Sequence, residues 1–415
     1  MIPLNSPLES PIAAVSNERQ IDAPQAAYVH IPFCRRRCFY CDFPIAVAGD
    51  LARGETSPRM QSYVEALCQE IQATPKLGAP LRTVFLGGGT PSLLSVAQVE
   101  QILTTLDACF GIEAAAEISI EMDPGTFDRR ALASLRQLGI NRVSLGVQSF
   151  TDAQLEACGR THRLVDVHQA IAALQAVGMP AWSLDLISGL PHQTIANWQI
   201  ALETAIAFAP QHLSIYDLTV EPSTVFHRRY TAGESPLPTD EQTATMYRLA
   251  QAVLTQAGYD HYEVSNYAQP GYQCQHNRVY WQNQPFYGFG MGAASYTQGQ
   301  RFQRPRTTHD YTDWLQTYQA ASGQLDVEPV TEGDRWLDRL MMGLRLAEGV
   351  SLKQLVEEFP AEWVAQLQKC LHPYRQPGWV ADDEEQSTVV RFTDPEGFLF
   401  SNVVLVKLFE TFDAS

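Results

Sequence analysis

Short runs dominated by apolar residues recur along the chain, each followed by a stretch with helical periodicity. The runs at residues 27–33, 83–86, 117–121, 142–147, 181–187 and 212–218 predict β-strands. Several read as apolar almost throughout, the expected pattern when both faces of a strand are covered. The intervening helices have recognisable starts. Ser95–Gln98 and Thr151–Gln154 both match the capping box, in which a hydroxyl and a later Gln satisfy the first free amides reciprocally. Ala170, Ala173, Leu174 and Val177 share one helical face. Six βα units in succession predict a parallel α/β fold, either doubly wound or a barrel. Polar and glycine residues stand where the strands stop: a cysteine-rich loop after the first, Gly87-Gly88-Gly89 after the second, Glu121 and Gln148 at the ends of the third and fourth, Asp185 near the end of the fifth, and Asp217 with Thr219 closing the sixth. The C-terminal ends of parallel strands are where such folds gather their chemistry.

The pattern divides the chain into a loose tail over residues 1–25, a βα body with its connections over 26–325, and a smaller module over 326–415. The last part reads as helical at 335–345 and 351–359, with a strand pair around a turn at 389–398. A chain of 415 residues, 45% of them hydrophobic, is long enough for a large core and a second module. The formal net charge of −17 leaves no basic stripe for nucleic acid. No apolar run approaches the roughly 20 residues that span a bilayer, and no secretory or mitochondrial leader is evident. The expectation is a reducing cytoplasm.

Chemistry enters with Cys34, Cys38 and Cys41, a C-x-x-x-C-x-x-C triplet leaving the first strand. Three thiolates so close can hold three irons of a cubane cluster and leave the fourth without a protein ligand. A structural zinc site normally takes four ligands, yet the other cysteines, at 68, 109, 158, 274 and 370, are scattered singly. Disulfides are disfavoured by sparse cysteines and the missing leader. The triplet, with Tyr40 before its last Cys, resembles the signature of the radical S-adenosylmethionine superfamily. That resemblance implies an open six-unit (β/α) barrel, a [4Fe–4S] cluster on the three cysteines, and S-adenosylmethionine bound at the unique iron and cleaved to a 5′-deoxyadenosyl radical.

Several polar residues then acquire a meaning beside their structural one. Gly88, Gly89 and Thr90 form a tight turn whose backbone a ligand can approach closely; they resemble the family's glycine motif for the cofactor's amino group. Glu121 is an acid on a hydrophobic strand, costly without a partner. Gln148 offers an amide, Arg160 a bidentate fork suited to a carboxylate, and Asp185 an acceptor for ribose hydroxyls. Singly, each is accounted for by a structural hydrogen bond. Together, and in this order, they are similar to the set used by the porphyrin-related branch, in which Tyr28 and Tyr40 flank the cofactor and Thr219 joins it.

That branch contains the oxygen-independent coproporphyrinogen III dehydrogenases and the HemW-type haem chaperones. The dehydrogenases carry a further Cys two positions after the last cluster Cys, where this chain has Phe43. His276-Asn-Arg-Val-Tyr-Trp281 matches the H-N-x-x-Y-W signature of the HemW type, flanked by residues 262–268 and 287–292. An imidazole can ligate haem iron, although a lone His among aromatics is as a rule a packed core residue. Cys274 is a conceivable further ligand, but C-x-H is not the c-type attachment sequence. The resemblance implies a winged-helix-like C-terminal module and a haem chaperone that passes haem to an acceptor apoprotein. The alternative is an enzyme, radical oxidative decarboxylation of coproporphyrinogen III. Arg35, Arg36 and Arg37 beside the cysteines would suit an acidic electron-donor protein, or are a solvated surface run.

Overall fold

The computed structural model describes residues 23–50, 53–382 and 388–412, so the predicted tail lies, up to residue 22, outside the described residues. One sheet holds nine strands: β1 Ala26–Ile31, β2 Leu81–Gly88, β3 Ile112–Met122, β4 Arg142–Gln148, β5 Ala181–Ser188, β6 His212–Asp217, β7 Asp260–Glu263, β8 Asn266–Ala268 and β9 Tyr287–Phe289. Their order is β9-β1-β2-β3-β4-β5-β6-β8-β7. The six predicted strands are β1 to β6, each parallel to the next. β9 extends the sheet in parallel beside β1, while β8 and β7 continue antiparallel beyond β6. Helices such as α1 Pro58–Ala73, α2 Val96–Phe110, α3 Arg129–Gln137, α4 Leu164–Val177 and α5 Ile195–Ala207 make the crossovers, giving an α/β fold of the open six-unit kind.

The strands are not apolar on both faces, and here the sequence expectation is corrected. Val143, Leu145 and Val147 on β4, and Trp182, Leu184 and Leu186 on β5, point outward into the main hydrophobic core with the helices. Ser144, Ser183 and Asp185, one position out of phase, face a cavity inside the barrel. Glu117-Ile118-Ser119-Ile120-Glu121 on β3 follows the same period-2 rule. The barrel interior is therefore a polar lumen, unlike the packed interior usual in closed βα barrels.

Local signals otherwise place the helices well. Ser95 and Gln98 form the full capping box at the start of α2. Thr151 does not: it precedes a short helix, but its hydroxyl bonds the Gln154 side chain and Ser149 rather than a helix amide. A second apolar core, around Trp336, Leu340, Leu355, Leu367, Val390 and Leu408, lies in the C-terminal module. That module joins α8 Glu332–Gly343, α9 Ala361–Leu371 and α10 Ser401–Phe412 to a small antiparallel sheet of Val350–Ser351, Val389–Phe392 and Val380–Asp382. The predicted strand pair at 389–398 is corrected to one strand, a turn and a short helix at Glu396–Leu399; the partner of Val389–Phe392 is upstream. No helix among the described residues is long and apolar enough to cross a membrane.

Candidate functional site

Two chambers occupy the barrel. The upper one, about 510 Å³, lies at the C-terminal ends of the strands and is bordered by Cys34, Cys38, Tyr40, Cys41, Gly88, Gly89, Thr90, Glu121, Asp123, Gln148, Arg160, Asp185 and Thr219. The lower one, about 180 Å³, lies nearer the strand starts, among Tyr28, Phe85, Ser119, Arg142, Ser183, His212, Cys274, His276 and Tyr280. Glu121, Ser144, Asp185 and Tyr216 border both. The cysteine triplet and the residues singled out for the cofactor reach the upper chamber, all but Tyr28, while His276 and Cys274 line the lower one. Tyr28 faces the lower chamber, and its hydroxyl lies 3.0 Å from His30 Nδ1.

The cysteine loop is seated on the glycine triplet. His30 reaches from β1 across the base of the loop to the Pro44 carbonyl at 2.9 Å. Gly88, at φ +115°, lies against that imidazole: a Cβ there would come within 2.5 Å of the ring, and one at Gly89 within 2.8 Å of the Pro32 and Phe33 backbone. Only glycine supplies both the torsion and the close approach. The amides of Gly88 and Gly89 already donate, at 2.8 Å each, to Glu121 Oε2 and the Ile31 carbonyl. Close approach, and not a free amide, is what these two glycines supply.

The three thiols are free and half-buried. Thr90 Oγ1 donates toward Cys34 Sγ at 3.7 Å, and Arg160 Nη1 toward Cys38 Sγ at 3.5 Å. Among the described residues, no three His, Cys, Asp or Glu side chains gather closely enough for a single metal ion. Three thiols bordering one chamber, two of them with an O–H or N–H donor aimed at sulfur, form a donor set that fits an iron–sulfur cluster.

Arg160 spends its second nitrogen on Asp123 and on the Gly146 carbonyl at 3.1 Å. Asp123, which also accepts from Thr90 Oγ1 at 3.2 Å, escaped the sequence reading. Its signal was available: two positions beyond Glu121, it continues the inward face of β3. Asp185 is held by Ser144 Oγ at 2.8 and 2.9 Å, and burial pushes its carboxyl up to about 6. Burial pushes Glu121 to about 8, against the Gly88 amide, which lowers it. Gln148 takes φ +65° at the end of β4, where the register with β5 shifts. A non-glycine residue in that region costs about 1–3 kcal/mol and clusters at ligand clamps.

His276 belongs to the other end of the barrel. It lies on α7 Gln275–Trp281, which closes the lower mouth. The residue is 1% exposed, with Nδ1 2.8 Å from Thr83 Oγ1 and Nε2 2.8 Å from the Tyr280 hydroxyl, and burial lowers the imidazole to about 3. Cys274 is also buried, its sulfur 3.6 Å from Glu117 Oε1 and its thiol pushed up by burial to about 12. Ser119 Oγ and His212 Nδ1, both buried beside the lower chamber, have no hydrogen-bond partner.

A model of the radical SAM superfamily matches residues 28–205, and one of the HemN C-terminal domain matches residues 330–388. The chain is 48% identical to the heme chaperone HemW of Synechocystis sp., over 93% of this chain and 96% of that one. It is 35% identical to HemW of Bacillus subtilis, over 81% and 87%, and 36% identical to HemW of Escherichia coli, over 69% and 74%. The solved structure of Escherichia coli coproporphyrinogen III oxidase, HemN, a radical SAM enzyme, superposes with a TM-score of 0.78 over 93% of this chain and 90% of that one. At 24% identity, that is a likeness of fold.

Proposed function

The chain belongs to the HemW family of the radical SAM superfamily, and from that premise we propose that it is a haem chaperone. It holds haem through the His276 motif and delivers it to an acceptor apoprotein. In the same reading Cys34, Cys38 and Cys41 carry a [4Fe–4S] cluster, and S-adenosylmethionine lies in the upper chamber among Gly88, Gly89, Thr90, Glu121, Gln148, Arg160 and Asp185, with Tyr40 and Thr219 at its rim. When bound, that pair supplies one-electron cleavage of a carbon–sulfur bond. The residues around it would bind and orient: Glu121 would meet the cofactor's positive group, Arg160 is fixed by Asp123, and Asp185 is fixed by its serines. Tyr28, behind His30, supports the cysteine loop rather than touching the cofactor. An electron-donor protein would approach the cysteine loop; Arg36 and Arg37 are exposed there, although Arg36 is already paired with Asp50.

One observation carries the reading. The cysteine chamber and the haem motif stand at opposite ends of the barrel, separated by roughly 15 Å of strand, with Glu121 and Asp185 between them. Redox chemistry at one end is not aimed at a macrocycle held at the other. That arrangement suits a carrier better than an oxidase, as does Phe43 in place of the extra cysteine.

The test is a haem titration of anaerobically reconstituted protein, followed in the Soret band, beside His276→Ala. Saturable binding weakened at least tenfold by the substitution is expected. Absence of binding, with release of 5′-deoxyadenosine and decarboxylated product from coproporphyrinogen III, would put the enzyme in its place. Iron and sulfide analysis of the same sample checks the cluster: four of each per chain are expected, and zinc without sulfide would sink that assignment.

A further inference from the structure

As folded, His276 has nothing to offer an iron. Both ring nitrogens are hydrogen-bonded, and the ring stacks on Phe85 with centroids 5.2 Å apart. A ligating imidazole must present a free lone pair. The chamber beside it, about 180 Å³, is also smaller than the roughly 300–1,000 Å³ of ordinary organic-ligand pockets. Binding of haem through this residue therefore requires another arrangement of α7.

The contacts of α7 show which arrangement is within reach. A helix of seven residues has little stability of its own, so what grips its ends decides where it stays. At its start, Glu117 accepts the amides of Gln275 and His276 at 3.2 and 3.0 Å. Arg142 lies 3.6 Å from the same carboxylate and donates to the Tyr272 carbonyl at 3.0 Å. At its end, Arg278 pairs with Glu348, and Arg345 lies 5.9 Å over the Trp281 ring. Both partners belong to the segment entering the C-terminal sheet. The flanks carry pivots: Gly271 at φ +85° with open space around it, and Asn283 at φ +52°. Behind the helix lies a polar lumen rather than a close-packed core, so its departure would wet groups that water satisfies, the partnerless Ser119 and His212 among them.

We propose that α7 is a releasable plug in the lower mouth of the barrel, latched by Glu117, Thr83 and the segment entering the C-terminal module, and that the released form takes up haem through His276. The inference rests on the haem-chaperone reading and adds its control step. Tyr280 and Thr83 are then closed-state partners of the imidazole. The plug couples haem uptake to whatever disturbs Arg345 and Glu348, a neighbourhood far from the cysteine loop.

The experiment combines hydrogen exchange at the Gln275 and His276 amides, with and without haem, and haem titrations of Tyr280→Phe and Thr83→Val in the full-length protein. When the binding-competent form is a minor one, apparent affinity is reduced by its fraction. Removing one closed-state hydrogen bond should tighten haem binding about fivefold in each variant. Saturating haem should speed exchange of the two amides at least tenfold. The variants act on opposite nitrogens, one from the plug and one from β2, so a folding defect in either leaves the other decisive. Binding that needs His276 while the amides stay protected and both variants match the wild type would overturn the plug and spare the chaperone reading. Binding indifferent to His276→Ala would overturn the plug and the haem-site assignment together.

Discussion

Glu121 stands where the two chambers meet, and its titration can be isolated from its neighbours. A carboxyl whose folded pKa is raised holds its proton longer in the folded than in the unfolded chain. Stability from such a group is therefore full below its unfolded pKa and is lost as pH rises toward the folded one. For Glu121 that window runs from the ordinary 4.5 to about 8. The buried imidazoles His30 and His276, lowered by burial to about 4 and about 3, act in the opposite sense, but only below their ordinary 6.5. Asp185, at about 6, is ionised before pH 7. Glu263, raised by burial to about 7, overlaps at the lower edge and is unaffected by a change at residue 121. The urea midpoint of the purified protein is expected to fall between pH 7 and pH 8.5, and Glu121→Gln to reduce that fall, with buried thiols such as Cys158 and Cys274, whose pKa burial also raises, supplying part of the remainder. An unchanged slope in the variant would mean that Glu121 is ionised throughout. A cation bound beside Glu121 should also flatten the profile, since it favours the charged form.

At the scale of elements, one buried carboxylate ties the end of the edge strand β9 to α1 and to the chain that follows it. Glu70 on α1 is fully buried and accepts from Arg304 Nε at 2.7 Å, the Gly290 amide at 2.8 Å and the Tyr311 hydroxyl at 2.6 Å. Arg304 is equally enclosed and also donates to Ser295 Oγ at 2.6 Å. Truncating one member of a buried pair strands the other charge, at a cost of about 3–5 kcal/mol. Glu70→Ala should lose that much in urea denaturation, and a loss under 1 kcal/mol would show that water replaces the carboxylate. These contacts were beyond the reach of the sequence: Glu70 and Arg304 share no motif, and three-residue strands such as β8 and β9 carry too little periodicity to be seen. They appeared instead as flanks of the His276 motif. The six barrel strands were legible because each is an apolar-rich run that gives way to polar or glycine residues and then to a patterned helix. The upper chamber was legible for the same reason, since its lining sits at strand ends. The polar lumen was written just as openly, in the alternation of β3 to β6, and was lost by reading apolar content in place of phase. The seating of His276 at the far mouth was not legible, because it depends on where a loop of the chain returns after the last parallel strand.

For the molecule as a whole, the question is how firmly the second core is tied to the barrel. Tyr247, on α6 Asp240–Gln256, packs into the C-terminal core and donates to the Val264 carbonyl at 2.9 Å. Two side-chain contacts to the segment at 394–396 reinforce the joint, and their burial ranks them. Arg248 and Glu396 are about two-fifths exposed, and such pairs are worth roughly 0–1 kcal/mol. His261 is buried, stacked on Tyr267 at 4.0 Å, with Nδ1 2.7 Å from Asp394 Oδ1 and Nε2 without any partner. Removing Asp394 would leave both nitrogens of a buried imidazole unsatisfied, at about 1–3 kcal/mol. Asp394→Ala should therefore weaken the joint more than Glu396→Ala, and calorimetry should show it as a broadened or split transition rather than a simple lowering of Tm. The same loosening should reach α7, because Arg345 and Glu348, which hold its far end, lie within the C-terminal module, between α8 and its small sheet. Asp394→Ala is expected to raise the exchange of the His276 amide before the barrel unfolds. Equal protection in variant and wild type, with the joint demonstrably weakened, would show that Glu117 and Thr83 keep the lower mouth closed without help from the C-terminal module.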